Sequence, residues 1–259
     1  MNQKSVLLAL CLSISTHGQA AENIITAVSD PYCPYTCEPG SDAPGFMTEV
    51  VKAIFEEEGY QINYEAKTWS RAVNDTRTGK SDILLGLYLE DAPDLVFPEE
   101  IIGKLFMSFY VSKNNPWKYG TLNTLDNMKI GLILDYAYND FFDEYIVQPE
   151  HNIEAVRISG VNTILRRGKM IINGYIDAMV EDKYVVRYAL RGNPIFGDIK
   201  EAGLIELEGH DVYVAFSPAA PSKSKRLSKI FDTGFKNLRN SPDFDRITEK
   251  YGIDYWGKK

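Results

Sequence analysis

Three short strand-like runs near the start of the chain, two apolar and the middle one alternating, constrain its fold more than any other feature. They cover residues 24–28, 60–65 and 82–87. Between the first two, Val50, Val51, Ile54 and Phe55 recur at helical spacing, Glu56-Glu57-Glu58 turn outward, and Gly59 ends the segment. Between the second and third, residues 71–78 can form a helix capped by Ser70 and stopped by Gly79. The third run, Asp82-Ile83-Leu84-Leu85-Gly86-Leu87, is almost wholly apolar, as a strand covered on both faces requires. Strand, helix, strand, helix, strand in this order predicts an α/β domain built on a parallel sheet.

A second unit of the same kind follows. Residues 105–111 read as one more strand of the first domain, and the turn-rich Lys113-Asn114-Asn115-Pro116 marks a crossing into the second. Strands are expected over 129–133, 153–158 and 176–180, with helices over 125–128, 141–145, 161–173 and 183–190. The run Val212-Tyr213-Val214-Ala215-Phe216 is expected to return to the first domain, followed by helices over 227–238 and 246–251. Lobe one would then hold residues 22–112 and 210–259, and lobe two residues 113–209.

The net charge of −8 argues against a nucleic-acid partner, because neutralising phosphates needs clustered Lys and Arg. The short runs Arg166-Arg167-Gly168-Lys169 and Lys223-Ser224-Lys225-Arg226 read as solvated faces. Residues 1–21 have the form of an export signal: Lys4, the apolar Val6 to Ile14, then Gly18-Gln19-Ala20 as a small-x-small cleavage site near Ala20 or Ala21. The apolar part is shorter than the ~20 residues that span a bilayer. Cleavage removes Cys11 and leaves Cys33 and Cys37, which in an oxidising compartment read as a disulfide. Their C-x3-C spacing, with no second Cys/His pair, speaks against a metal or redox centre. No metal, no cofactor and a monomer are expected.

The segment 29–37 is too elaborate for a simple connector. Pro31 and Pro34 stiffen it, Cys33 and Cys37 can staple it, and Tyr32 and Tyr35 project from it, so it is expected to wall a small-molecule pocket. Tyr32, Tyr35, Trp69, Tyr88, Tyr136 and Tyr138 all fall at predicted strand ends or cleft loops, where aromatic faces suit a planar or cationic ligand. Some of them must be core, since 16 Tyr, 12 Phe and 3 Trp have to be placed. Asp135 either accepts a hydrogen bond from ligand or caps the helix after it. The chain has no Gly-x-Ser-x-Gly, no His-Glu-x-x-His and no phosphate-binding Gly loop. His151 and His210 stand in polar, loop-like stretches.

The order of several modest motifs carries a resemblance. They are Gly45-Phe46 with Glu49, Gly79-Lys80-Ser81-Asp82 before an apolar strand, and Phe97-Pro98. Further on come Leu125 with Gly131, Gly174-Tyr175-Ile176-Asp177-Ala178 before Asp182, and Lys250-Tyr251-Gly252. Over residues 24–251 the chain resembles the family 3 extracellular solute-binding proteins. The resemblance implies the α/β, two-lobed periplasmic-binding-protein fold (type II) with two inter-lobe crossings and a discontinuous first lobe. It implies a periplasmic, non-enzymatic receptor that closes on a small solute and hands it to an ABC permease. Alternatives are an accessory to a membrane sensor or chemoreceptor, or a dehydratase-type lyase on the same fold. Asp182 matches the position that holds a ligand ammonium, unless it only caps the next helix. Amino-acid receptors of the family carry an Arg after the strand matching 82–87, but Tyr88-Leu89-Glu90-Asp91-Ala92-Pro93-Asp94 has none. The carboxylate clamp of an amino-acid-like ligand would then fall to Arg71, unless Arg71 pairs with Asp75 one turn on.

Overall fold

The computed structural model describes residues 23–255, so the export segment and its Cys11 lie outside the described residues. The first sheet contains β1 (Ile24–Ser29), β2 (Gln61–Ala66), β3 (Ile83–Leu87), β4 (Gly103–Leu105) and β10 (His210–Phe216), in the order β2-β1-β3-β10-β4. The second contains β5 (Met107–Ser112), β6 (Lys129–Ile133), β7 (Glu154–Ile158), β8 (Ala178–Asp182) and β9 (Ile199–Leu204), in the order β7-β6-β8-β5-β9. Each sheet has three parallel strands and an antiparallel strand in fourth place: β1 pairs in parallel with β2 and β3, and β6 with β7 and β8. The antiparallel members are β10 against β3 and β5 against β8. The βαβ pattern forces this arrangement, because parallel neighbours need a crossover helix on the face of the sheet.

Those helices are α1 (Phe46–Glu57) and α2 (Trp69–Arg77) in the first unit, and α3 (Asp140–Tyr145), α4 (Thr163–Ile172) and α5 (Lys183–Leu190) in the second. Two more, α6 (Pro221–Leu238) and α7 (Pro242–Tyr251), return to the first unit. Val50, Val51, Ile54 and Phe55 form the buried stripe of α1, and α6 packs beside it through Leu227, Phe231 and Phe235. A stacked Phe231–Phe235 pair, 5.6 Å between ring centres, continues to Phe244 of α7.

The run over 105–111 is not one strand. It breaks at Phe106, with β4 in the first sheet and β5 in the second, so the first crossing lies there and not at 113–116. The boundary expected at residue 112 therefore moves to Phe106. The apolar pattern is unbroken because both halves are buried, each in a different sheet. The second crossing spans 205–209, between β9 and β10. The sequence reading missed β9, where polar residues and Gly203 interrupt the apolar alternation.

The loop before α1 is held by backbone. Pro34 and Tyr35 carbonyls accept the Phe46 and Met47 N–H groups at 2.8 and 2.9 Å, in place of a side-chain cap. Cys33 and Cys37 are disulfide-bonded with Cα atoms 4.9 Å apart, and the Cys33-Pro34 peptide is cis. Gly45 adopts φ 113°, and a Cβ on it would lie 2.4 Å from the Tyr35 carbonyl oxygen. Its N–H donates to the Tyr251 hydroxyl, which donates to Glu49, itself paired with Lys250. Gly45→Ala should therefore cost about 1–3 kcal/mol, toward the upper end because the clash is with backbone. A urea midpoint moved by an equivalent of less than ~0.5 kcal/mol would show that the loop can shift aside.

Candidate functional site

A cavity of about 70 Å³ lies between the sheets, at the carboxyl ends of strands from both. Open α/β sheets place ligand sites there, because loops diverge beyond the strand ends. Asp30 follows β1, Tyr32 comes from the stapled loop, Trp69 opens α2, and Tyr88 and Asp91 follow β3. The second unit contributes Met107 of β5, and Asp135 and Tyr136 just past β6. Asp135 sits at φ 64° in the left-handed region, which short polar side chains tolerate.

Of the residues singled out from sequence, Tyr32, Trp69, Tyr88, Asp135 and Tyr136 are brought together around this cavity. Tyr35 lies one layer below, beside a smaller void of about 20 Å³. Tyr138 does not reach the cleft. It is 1% exposed, its hydroxyl accepts the Ile133 N–H at 2.6 Å, and its ring packs edge-on to Phe142. Arg71 also stays away, with a side chain 73% exposed and a guanidinium 3.7 Å from Asp75. The expected Arg71 clamp gives way to this local pair, because one helical turn already brings a counter-charge within reach.

Asp182 is fully buried at the end of β8 and is taken up by the fold. One oxygen accepts the Tyr184 and Val185 N–H groups as the cap of α5, and also the Tyr35 hydroxyl at 3.0 Å. The other accepts the Phe106 N–H at 2.7 Å. In this closure Tyr35 stands where a ligand ammonium was expected. Burial raises the Asp182 pKa to about 7; the Phe106 and Val185 N–H groups and the Tyr35 hydroxyl offset only part of that, and neighbouring Glu181 adds to it.

Three tyrosine hydroxyls tie the two units across the cleft. Tyr35 donates to Asp182, Tyr32 donates to Glu181 at 2.6 Å, and Tyr136 donates to Asp30. Burial raises the Asp30 carboxyl above its usual range, with the Tyr136 hydroxyl working against the rise. Burial and the nearby acids likewise push the Tyr32 and Tyr35 phenols well up. Glu181 is buried and ion-paired with Arg167, which is 0% exposed. The run that holds Arg167 reads as solvated from sequence, and the pairing with Glu181 buries it instead. The sequence reading also missed Asp30 and Asp91 as cavity residues, although Asp30 directly follows β1 and Asp91 lies in the loop after β3. His210 contacts Glu90 at 2.8 Å and its ring lies against the Tyr88 ring, 4.2 Å between centres. No cluster of His, Cys, Asp or Glu among the described residues could hold a metal ion, and no helix among them is long and apolar enough to cross a membrane.

Two α/β units, joined by two crossings and closing over a cavity at their strand ends, define a two-lobed binding protein of the periplasmic type. The chain belongs to the bacterial extracellular solute-binding proteins, family 3, whose model matches residues 24–254. Among similar solved structures is one of glutathione import via GshT and the cystine ABC importer TcyBC of Streptococcus mutans: TM-score 0.76, 17% identity, 92% of this chain and 98% of that one covered. Another is an ancestral arginine-binding protein bound to arginine, with TM-score 0.71, 16% identity and coverage of 88% and 98%. A third is the ancestral amino acid-binding protein AncCDT-1, a precursor of cyclohexadienyl dehydratase, with TM-score 0.67, 18% identity and coverage of 88% and 95%. At these identities the likeness is one of fold. No curated relative matches the chain in sequence.

Proposed function

We propose that this chain is an exported receptor that traps a small solute between its lobes and presents the closed form to an ABC importer. The observation that carries this is the cavity itself, built at strand ends of both sheets and bridged by Tyr32, Tyr35 and Tyr136. Lobe one takes residues up to Leu105 and from His210 onward, and lobe two takes Met107 to Leu204. Ligand that contacts both lobes shifts the population toward closure, and an importer can read that shift. Export, with cleavage near Ala20, belongs to the same proposal. Binding is proposed over catalysis because Asp182, a buried acid with a raised pKa, lies off the main cavity and is engaged by four donors.

A thermal-shift screen against amino acids, peptides and amines tests the reading. A ligand at 100 times its Kd should add about 2.7 kcal/mol, which raises Tm by roughly 5–11 °C in a protein of this size. Trp69→Ala should weaken the best hit by about 10–100-fold, as removal of a central aromatic contact does, and leave the ligand-free Tm within about 2 °C. A library with no hit would sink the receptor reading. Copurification with a permease supports delivery, whereas copurification with a sensor kinase instead would replace import by signalling.

A further inference from the structure

The chemistry of the cavity wall narrows the solute, on the premise that the cleft binds one. Three carboxylates line it, Asp30, Asp91 and Asp135, together with the rings of Tyr32, Trp69 and Tyr136. No Arg, Lys or His is among the lining residues. The cations of the surrounding elements are committed elsewhere. Arg71 and Lys67 both pair with Asp75, and Lys67 also with Glu65. Lys104 pairs with Asp211 beside the first crossing, and Lys183 lies 3.9 Å over the Phe106 ring. Arg167 is buried against Glu181. A ligand carboxylate entering this cavity would meet like charge and no donor fork.

One polar group at the cavity lacks a partner. Tyr88 is 6% exposed, lines the cavity, and its hydroxyl has no hydrogen bond. A buried phenol without a partner is costly unless something bonds to it. Set among carboxylates, its oxygen can accept an N–H. Aromatic faces beside acids are also what a cation favours, since the ring quadrupole and the carboxylates act with the same sign.

We infer that the cleft takes an organic cation without a carboxylate, an amine or guanidine. Its charged head is held by Asp30, Asp91 and Asp135, bonded by the Tyr88 hydroxyl, and stacked against Trp69 and Tyr136. The inference rests on the receptor reading above, but fails separately from it.

Calorimetric titration of the full exported chain, stripped of bound solute by unfolding and refolding, tests it with matched probes. Agmatine and L-arginine differ by one carboxylate, as do cadaverine and L-lysine, and tyramine and L-tyrosine. In at least one pair the decarboxylated member should bind 100-fold or more tightly than its amino acid. Tyr88→Phe should weaken that amine about tenfold or more, the range for a hydrogen bond to a charged group, without lowering the ligand-free Tm. Asp91→Asn should weaken it about as much. An amino acid that binds as tightly as its amine, or glutathione bound in preference to any amine, overturns the cation class and leaves the receptor standing. No binding by any probe also overturns the class, and the solute library above then decides whether the receptor reading falls with it. If Tyr88→Phe and Asp91→Asn both leave the amine's affinity unchanged, the assigned contacts are wrong.

Discussion

Arg167→Met should lower folding stability by about 3–5 kcal/mol, the range for breaking one side of a buried ion pair. Arg167 projects from α4 with no exposure, donates to the Val180 carbonyl at 2.7 Å and pairs with Glu181. Glu181 also accepts the Tyr32 hydroxyl and the Asp182 N–H, so it is the junction between lobe two's core and lobe one's loop. With the guanidinium gone, a carboxylate is left in the interior with no counter-charge. Removal of both charges costs far less, because methionine and a neutral amide leave no ion in the interior without a counter-charge, and the amide oxygen still accepts the Tyr32 hydroxyl. Arg167→Met combined with Glu181→Gln should therefore recover most of the loss, a non-additivity that a double-mutant cycle measures directly. Expressed as Tm, the single variant should fall by roughly 6–20 °C. A drop below about 1 kcal/mol would mean that Glu181 is hydrated in solution and that the junction does not hold.

The second large effect is one of pH. Asp182 titrates at about 7 in the folded protein, against an ordinary value of 3.8. Between these values the folded state keeps a proton that the unfolded chain has released. The carboxyl thus favours folding fully below pH ~4, and this advantage declines as pH rises and is lost through pH ~7. The span corresponds to about 4 kcal/mol. Asp30, raised by burial, acts in the same direction, whereas Asp75 and Asp94, lowered chiefly by their Lys67 and Arg77 partners, act in the opposite one. The measurement must therefore be a difference. The stability of the wild type minus that of Asp182→Asn should fall steeply from pH 4.5 to pH 8, since asparagine keeps an acceptor for the α5 cap and cannot titrate. A difference that stays level would mean that Asp182 is ionised throughout. Lobe opening would hydrate this acid and remove the burial that raises its pKa, an effect larger than the opposing one of the Tyr35 hydroxyl, so the protonated acid should also favour closed lobes. Scattering of the ligand-free protein should show a smaller radius of gyration at pH 5 than at pH 8.

Much of the fold can be read from local pattern. The strand Lys129–Ile133 and the helix Lys183–Leu190 fall where periodicity places them, and the apolar runs at 24–28 and 82–87 become central strands of the first sheet. Burial on both faces makes such strands uniformly apolar, and that is visible without any partner in view. The same signal hides the switch at Phe106, because a residue buried in one sheet looks like a residue buried in the other. Cavity residues at strand ends, Tyr32, Trp69, Tyr88 and Tyr136, follow from the same local rule.

Polar side chains were decided by segments far away in the chain. Arg167 sits in a run that looks solvated, and Glu181, across a helix and a turn, makes it core. Asp182 could equally hold a ligand or a helix end until Tyr35, 147 residues earlier, delivers its hydroxyl. Tyr138 and Tyr136 are two residues apart, yet one closes the lobe-two core and the other crosses to Asp30. Hydrophobic spacing records which face of an element is covered, and the chain alone therefore determined most strands and helices and the pair of α/β units, but not β9 or the break at Phe106. It does not record what covers a charge. Pairing energy depends on a partner within a few ångströms in space, wherever it lies in sequence, and so the acidic, aromatic character of the cleft was decided only when the two sheets came together.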